Sequence, residues 1–210
     1  MDTLQHQSLQ SHATQPQNIP VETVHVIHMA CPITPASIQQ LHNCTLLALQ
    51  EGAQRLELRI SSLGGCLASG FAAYGLLRSL PVPVRTHNNG NVESAAVVIY
   101  LAGSERTAAT HSRFVIHPLN WGTGNGSVDH NRIVEWADSL NFDRDRYRTI
   151  FDEATDGAQI PIDILKHLNQ EAIIIGPADA ESAGITTRTV AADTHKLPFH
   201  NVRHLWISGF

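Results

Sequence analysis

The stretch Arg55-Leu56-Glu57-Leu58-Arg59-Ile60-Ser61-Ser62-Leu63-Gly64-Gly65 decides the fold. Leu56, Leu58 and Ile60 alternate with polar residues, the period of a strand with one buried face. The alternation stops at Gly64-Gly65, a pair suited to a tight turn, and small residues over about 67–79 then read as a helix. Strand, glycine turn and helix make half of a β-α-β unit.

The same alternation continues on both sides. Upstream, the run from Val21 to His28 is β-branched and reads as a strand. Thr34-Pro35 then supplies an N-cap and a proline at the first helical position, and Ile38, Leu41, Thr45 and Leu49 share one face of a helix that ends at Gly52. Downstream, Pro81 to Thr86 reads as a short strand, Asn88-Asn89-Gly90 as a turn, and the segment from Ser94 as an apolar helix. Arg113 to His117 is a further strand, about 129–155 a long amphipathic helix, and Ala172 to Ile175 a buried strand before Pro177 opens another helix. Short links between alternating strands and helices imply one α/β domain with right-handed crossovers. The expected organisation is a flexible polar tail at 1–19, a domain at 20–192 and a C-terminal extension at 193–210.

Composition narrows the classes of function. The chain has 210 residues, 42% of them hydrophobic, enough for a sizeable core and against a fully disordered chain. Fourteen Lys and Arg against nineteen Asp and Glu leave a formal charge of -5, so no basic excess faces a phosphate backbone and nucleic acid is not an expected partner. No apolar run reaches the length of a membrane span, and the first residues lack the pattern of a secretory signal; the expected setting is cytoplasmic, away from membranes. Cys31, Cys44 and Cys66 form no CxxC pair, which fits reduced thiols, and the thirteen histidines are scattered with no HExxH arrangement. No metal and no cofactor is expected. The glycine-rich stretch from Asn120 to Gly126 lacks both GxGxxG spacing and the Lys-Ser/Thr of a phosphate loop.

Three features fall at the C-terminal ends of consecutive strands: Gly64-Gly65, Ser94 and His117. In an open, largely parallel α/β sheet those ends share the edge where ligands bind. A hydroxyl, an imidazole and turn amides are the parts of nucleophilic catalysis: a base for the serine proton and N–H donors for an oxyanion. Each part also has a plain reading, since Ser94 can cap the helix that follows it, His117 can be a hydrogen-bonded strand-end histidine, and Gly64-Gly65 can be only a turn.

Five segments carry a resemblance to a known family. Ile60-Ser-Ser-Leu-Gly-Gly65, Ala68 to Tyr74, Gly90-Asn-Val-Glu-Ser-Ala95 leading to Leu101-Ala-Gly103, Ser112 to His117, and Ala180 to Ile185 occur in the order and spacing of the proteolytic subunit of the Clp protease. Over about residues 22–190 the chain resembles the Clp peptidase and crotonase-like superfamily. The resemblance implies a single-domain fold of repeated β-β-α/β-α-β units with an extended handle helix. It implies Ser94 as nucleophile, His117 as general base, and the N–H groups of Gly65 and Ala95 as the oxyanion hole. The family's third catalytic residue, an aspartate, falls on Ala172, which implies an incomplete triad; the candidate to replace it is Glu171 beside it, after a one-residue shift. Glu93 stands where the family has a small residue, and Pro118 directly follows His117. Trp121 to Gly126 and the following helix match the handle that interlocks two rings, and Asp143 to Arg148 on it reads as a solvated face of alternating charge. The implied activity is serine-type hydrolysis of peptide bonds in unfolded chains or short peptides by a homo-oligomeric ring, with weak activity if the triad is incomplete. Partnership with an unfoldase ATPase is not carried over, because the N-terminal tail does not resemble the family's pore loops. The alternatives are a catalytically silent scaffold subunit and a crotonase-like acyl-CoA enzyme; for the latter no basic cluster near Gly65 would hold the phosphates.

Overall fold

The computed structural model describes residues 22–122, 126–190 and 202–208. Its elements run β1 (Val24–Met29), α1 (Pro35–Gln50), β2 (Arg55–Ser62), α2 (Leu67–Arg78), β3 (Val84–Glu93), α3 (Ala95–Tyr100), β4 (Glu105–Ala109), β5 (Arg113–Ile116), α4 (His130–Ala154), α5 (Ile164–Asn169), β6 (Ile173–Ile175), α6 (Pro177–Ser182), β7 (Arg188–Val190) and β8 (Val202–Ile207). The fold is α/β, as the alternation implies. All pairs in its eight-stranded sheet are parallel except β5 with β6. The main path is β6-β5-β3-β2-β1-β8, with β4 and β7 branching from β3.

The branch at β3 corrects one expectation. Asn88-Asn89-Gly90 is not a turn but the middle of a ten-residue strand. Arg85 to Asn88 pair with β4, whereas Asn91 to Glu93 pair with β5, so the strand exchanges one neighbour for another at Asn89-Gly90. The Asn88 side chain bridges the exchange: its Nδ2 donates to the Arg113 carbonyl at 2.9 Å and its Oδ1 accepts from Gly90 N at 3.0 Å. Turn-forming residues here break the ladder without reversing the chain, and the register on β2 shifts at the same level, between Ile60 and Ser62.

The core gathers buried residues of α1, α2 and α3 together with those of the sheet. Thr34 caps α1, accepting from Ser37 N while Ser37 Oγ accepts from Thr34 N. The buried stripe of α1 is Ser37, Leu41, Thr45 and Ala48, rotated slightly from the expected one because Leu49 is only half-buried. Every residue of α3 is buried, as an all-apolar helix requires; the Tyr100 ring meets Phe114 edge-on at 5.0 Å, and its hydroxyl donates to the Thr107 carbonyl. Arg106 on β4 ties the far side together by donating to the carbonyls of Gly103, Ala154, Gly184 and Ile185.

Two strands differ from their patterns. On β2 the polar set is covered as well as the apolar one: Glu57 is 4% and Arg59 9% exposed, and they bond to each other at 2.7 Å. β6 is not fully buried, because it is an edge strand with Ile174 68% exposed. The tail expected at 1–19 lies outside the described residues. Within the segment 193–210, residues 202–207 form β8, which adds a parallel strand to β1; His204 and Trp206 on it stack with His28 on β1, whose Nε2 lies 3.0 Å from His204 Nδ1. No helix among the described residues is long and apolar enough to cross a membrane.

Candidate active site

The turn between β2 and α2 is held by its neighbours' backbones. Gly65 bridges Ile33, with Ile33 N donating to Gly64 O at 2.9 Å and Cys66 N donating to Ile33 O at 2.8 Å. A Cβ on Gly65, at φ 145°, would lie 2.3 Å from the Ile33 carbonyl oxygen, so only glycine fits there. A Cβ on Gly64, at φ 92°, would meet Glu93 O and Ser94 Cβ, both at 2.7 Å. The glycine pair is thus pressed against the junction of β3 and α3.

Ser94 is that junction. Its backbone sits at φ 54°, ψ -124°, and it is the one non-glycine residue at positive φ among those described. Ser94 N donates to Val115 O at 2.8 Å, which fixes the strand end, and the side chain makes no capping bond to α3. The capping reading therefore does not hold, and the hydroxyl is left for other work. A serine presented on a strained strand-to-helix turn, with glycines packed against it, is the geometry of a nucleophile elbow.

His117 follows β5. Its Nδ1 lies 2.9 Å from the Pro118 carbonyl oxygen. A carbonyl only accepts, so Nδ1 carries the proton and Nε2 of the neutral ring is the basic nitrogen. A cavity of about 340 Å³ brings the pieces together: Gly65, Ser94, Ala95 and His117 all line it. The amides of Gly65 and Ala95 donate to no described residue. Such a site has a hydroxyl, a base in the correct tautomer and two free N–H groups, the set that acyl transfer requires.

Glu171 is not among the residues lining the cavity. It is exposed after α5, and Lys166 Nζ bonds its Oε1 at 2.6 Å; that bond holds the carboxyl below and the ammonium above their ordinary ranges. The triad contact expected of Glu171 is not formed in this structure, since Lys166 takes its carboxylate and a backbone carbonyl takes His117 Nδ1. Glu93 faces Arg113, which donates to its Oε1 at 2.8 Å across β3 and β5, so its charge is paired.

The wall contributed by α4 was not read from the sequence as part of the site. Leu140, Asp143 and Tyr147 follow one face at i, i+3 and i+7 and line the cavity. Tyr147 is buried, which pushes its phenol far above the usual range, and its hydroxyl donates to Ser94 O at 3.4 Å. The segment Asp143 to Arg148 is accordingly not a uniformly solvated face. The spacing of Leu140 and Tyr147 was the available signal, masked by the arginines between them. Cys66 also lines the cavity, its thiol held below the ordinary range chiefly by a hydrogen bond with Ser69. No group of three or more His, Cys, Asp or Glu able to hold a metal occurs among the described residues.

The family model described as Clp protease matches residues 6–193. The chain is 30% identical over 129 residues to the ATP-dependent Clp protease proteolytic subunit of Paracoccus denitrificans, covering 60% of this chain and 63% of that protein. It is 32% identical over 97 residues to proteolytic subunit 2 of Thermobifida fusca, covering 45% and 46%, so it spans less than two thirds of the length of both relatives. Proteolytic subunit 1 of Chlamydia felis is 27% identical over 164 residues, covering 77% of this chain and 76% of its own. Among solved structures, a ClpP1 point mutant from Listeria monocytogenes superposes with a TM-score of 0.68 at 19% identity, covering 81% of this chain and 94% of that one.

Proposed function

The chain belongs to the Clp protease family, and on that premise we propose that it is a serine peptidase acting on peptide bonds of unfolded chains or short peptides. The observation that carries the reading is Ser94, held at φ 54° with an uncommitted hydroxyl in a cavity shared with His117. In this mechanism His117 Nε2 takes the Ser94 proton as Oγ attacks the scissile carbonyl. The Gly65 and Ala95 amides hold the resulting oxyanion. His117 then gives the proton to the leaving amine, the acyl-enzyme forms, and water releases it by the same steps in reverse.

The Pro118 carbonyl takes over the orienting part. Losing the carboxylate of a Ser-His-Asp triad costs about 10⁴ in rate, largely through the wrong histidine tautomer. Here the carbonyl keeps the right tautomer but supplies a dipole in place of a full charge beside the imidazolium. The expected enzyme is therefore slower than one with a complete triad but not inert. The same substitution of a carbonyl for a carboxylate favours a second reading, a catalytically silent subunit that serves as scaffold in a ring. We also propose that the chain assembles as a homo-oligomer through α4.

Labelling with a fluorophosphonate serine-hydrolase probe, read by intact mass, separates the two readings. The expected result is one covalent adduct on the wild-type chain and none on Ser94→Ala. A folded wild-type protein that takes no adduct sinks the peptidase reading and leaves the scaffold.

A further inference from the structure

The cavity beside Ser94 contains one carboxylate among its described lining residues, Asp143. The wall around it is mainly apolar, with Leu67, Ile116, Leu119, Leu140 and Leu168 contributing. Asp143 stands on the cavity-facing stripe of α4, three residues after Leu140 and four before Tyr147, and is half-buried. A charge on an apolar stripe gains nothing from packing, and a concave apolar wall strengthens its field toward an incoming cation.

Its internal partner is weak. Arg146 Nη1 reaches Asp143 Oδ1 at 3.4 Å, at the long end of hydrogen bonding, and no described group bonds Oδ2. The Arg146 guanidinium carbon meanwhile lies over the Phe71 ring, 3.9 Å from its centroid, and Arg146 does not line the cavity. A single long contact to a half-exposed arginine contributes little and leaves Asp143 able to take a second cation from the cavity side.

We propose that this cavity selects a basic side chain, lysine or arginine, at the substrate residue whose carbonyl meets Ser94, and that Asp143 is the selecting group. The inference rests on the peptidase reading for how the chain lies: carbonyl at the Gly65 and Ala95 amides, side chain toward α4. A volume of about 340 Å³ is at the small end for ligand cavities and suits one long side chain. The methylenes of lysine pack on Leu67, Leu140 and Leu168 while the ammonium reaches the free Oδ2.

Peptide-end binding tests this without requiring turnover. Two fluorescein-labelled tetrapeptides, Ala-Ala-Leu-Lys and Ala-Ala-Lys-Leu, have the same composition and charge, so attraction to the net charge of -5 cancels between them. Fluorescence anisotropy is measured with the full Ser94→Ala chain and with Ser94→Ala/Asp143→Asn, both checked by far-UV circular dichroism. The expected result is about tenfold tighter binding of the peptide ending in lysine, the lower end for a charge-assisted hydrogen bond, and loss of that preference with Asp143→Asn. Equal binding of the isomers, no binding of either, or a preference that survives Asp143→Asn overturns the proposal. The probe adduct at Ser94 reports separately on the peptidase reading. An adduct without a lysine preference sinks the specificity alone, whereas a lysine preference without an adduct keeps the selective cavity and sinks hydrolysis.

Discussion

Ser94 spends conformational energy that its own side chain does not return, since at φ 54°, ψ -124° a residue with a Cβ carries about 1–3 kcal/mol of strain and the hydroxyl makes no cap. Removing the hydroxyl and removing the Cβ should therefore differ. Ser94→Gly is expected to be about 1 kcal/mol more stable than Ser94→Ala in denaturant unfolding, although both lose the hydroxyl proposed as nucleophile; equal stabilities would mean that the turn is not strained. That Ser94, His117 and Gly65 would meet at one cavity was legible because each follows a strand in a chain whose strands and helices alternate. Three other contributors were not. The Pro118 carbonyl has no side-chain signature, Asp143 sits among charges that read as solvent-facing, and the Glu93–Arg113 pair joins residues twenty apart on strands whose pairing only the fold creates.

Among the elements, β8 has the most to lose from acid. Its His204 and Trp206 stack on His28, and burial, then the neighbouring His204 and Arg59, hold the His28 pKa below the ordinary value, with Glu57 opposing. The unfolded chain, with its histidine near about 6.5, takes up this proton first. The stabilisation from neutral His28 is thus complete above about pH 6.5 and is lost as pH falls through that value toward the lower folded pKa. The melting temperature is expected to fall between pH 7.5 and 5, and to fall by less in His28→Gln; identical slopes would assign the acid sensitivity to other groups. The alternation of β2, the apolar stripe of α1 and the unbroken apolar run of α3 were readable, whereas β4 was not: Glu-Arg-Thr-Ala-Ala carries no strand alternation and becomes one only because Arg85 to Asn88 offer it a free ladder. The same exchange of partners hid the continuity of β3 behind Asn-Asn-Gly.

At the scale of the molecule, α4 buries only Tyr147 and Phe151, while Ile133, Val134 and Phe142 stay exposed along it. Apolar side chains left outside the core of a -5 protein fit the association surface proposed for this helix. Analytical ultracentrifugation is expected to show a species larger than the 23.0 kDa chain, and Ile133→Asp/Phe142→Asp to shift it to smaller species with far-UV circular dichroism unchanged; a variant that sediments like the parent would remove α4 from the interface. The cavity beneath this helix has a last consequence for how it can be dissected. Of the polar atoms that the proposed chemistry uses, the Gly65 and Ala95 amides on the cavity wall and the Pro118 carbonyl behind His117 are main-chain atoms. An alanine scan would leave the Ala95 amide invisible, misread Gly65 as a folding residue, and credit the chemistry to two side chains. Main-chain replacement, such as an ester in place of the Ser94–Ala95 amide, is the substitution that would reach the rest.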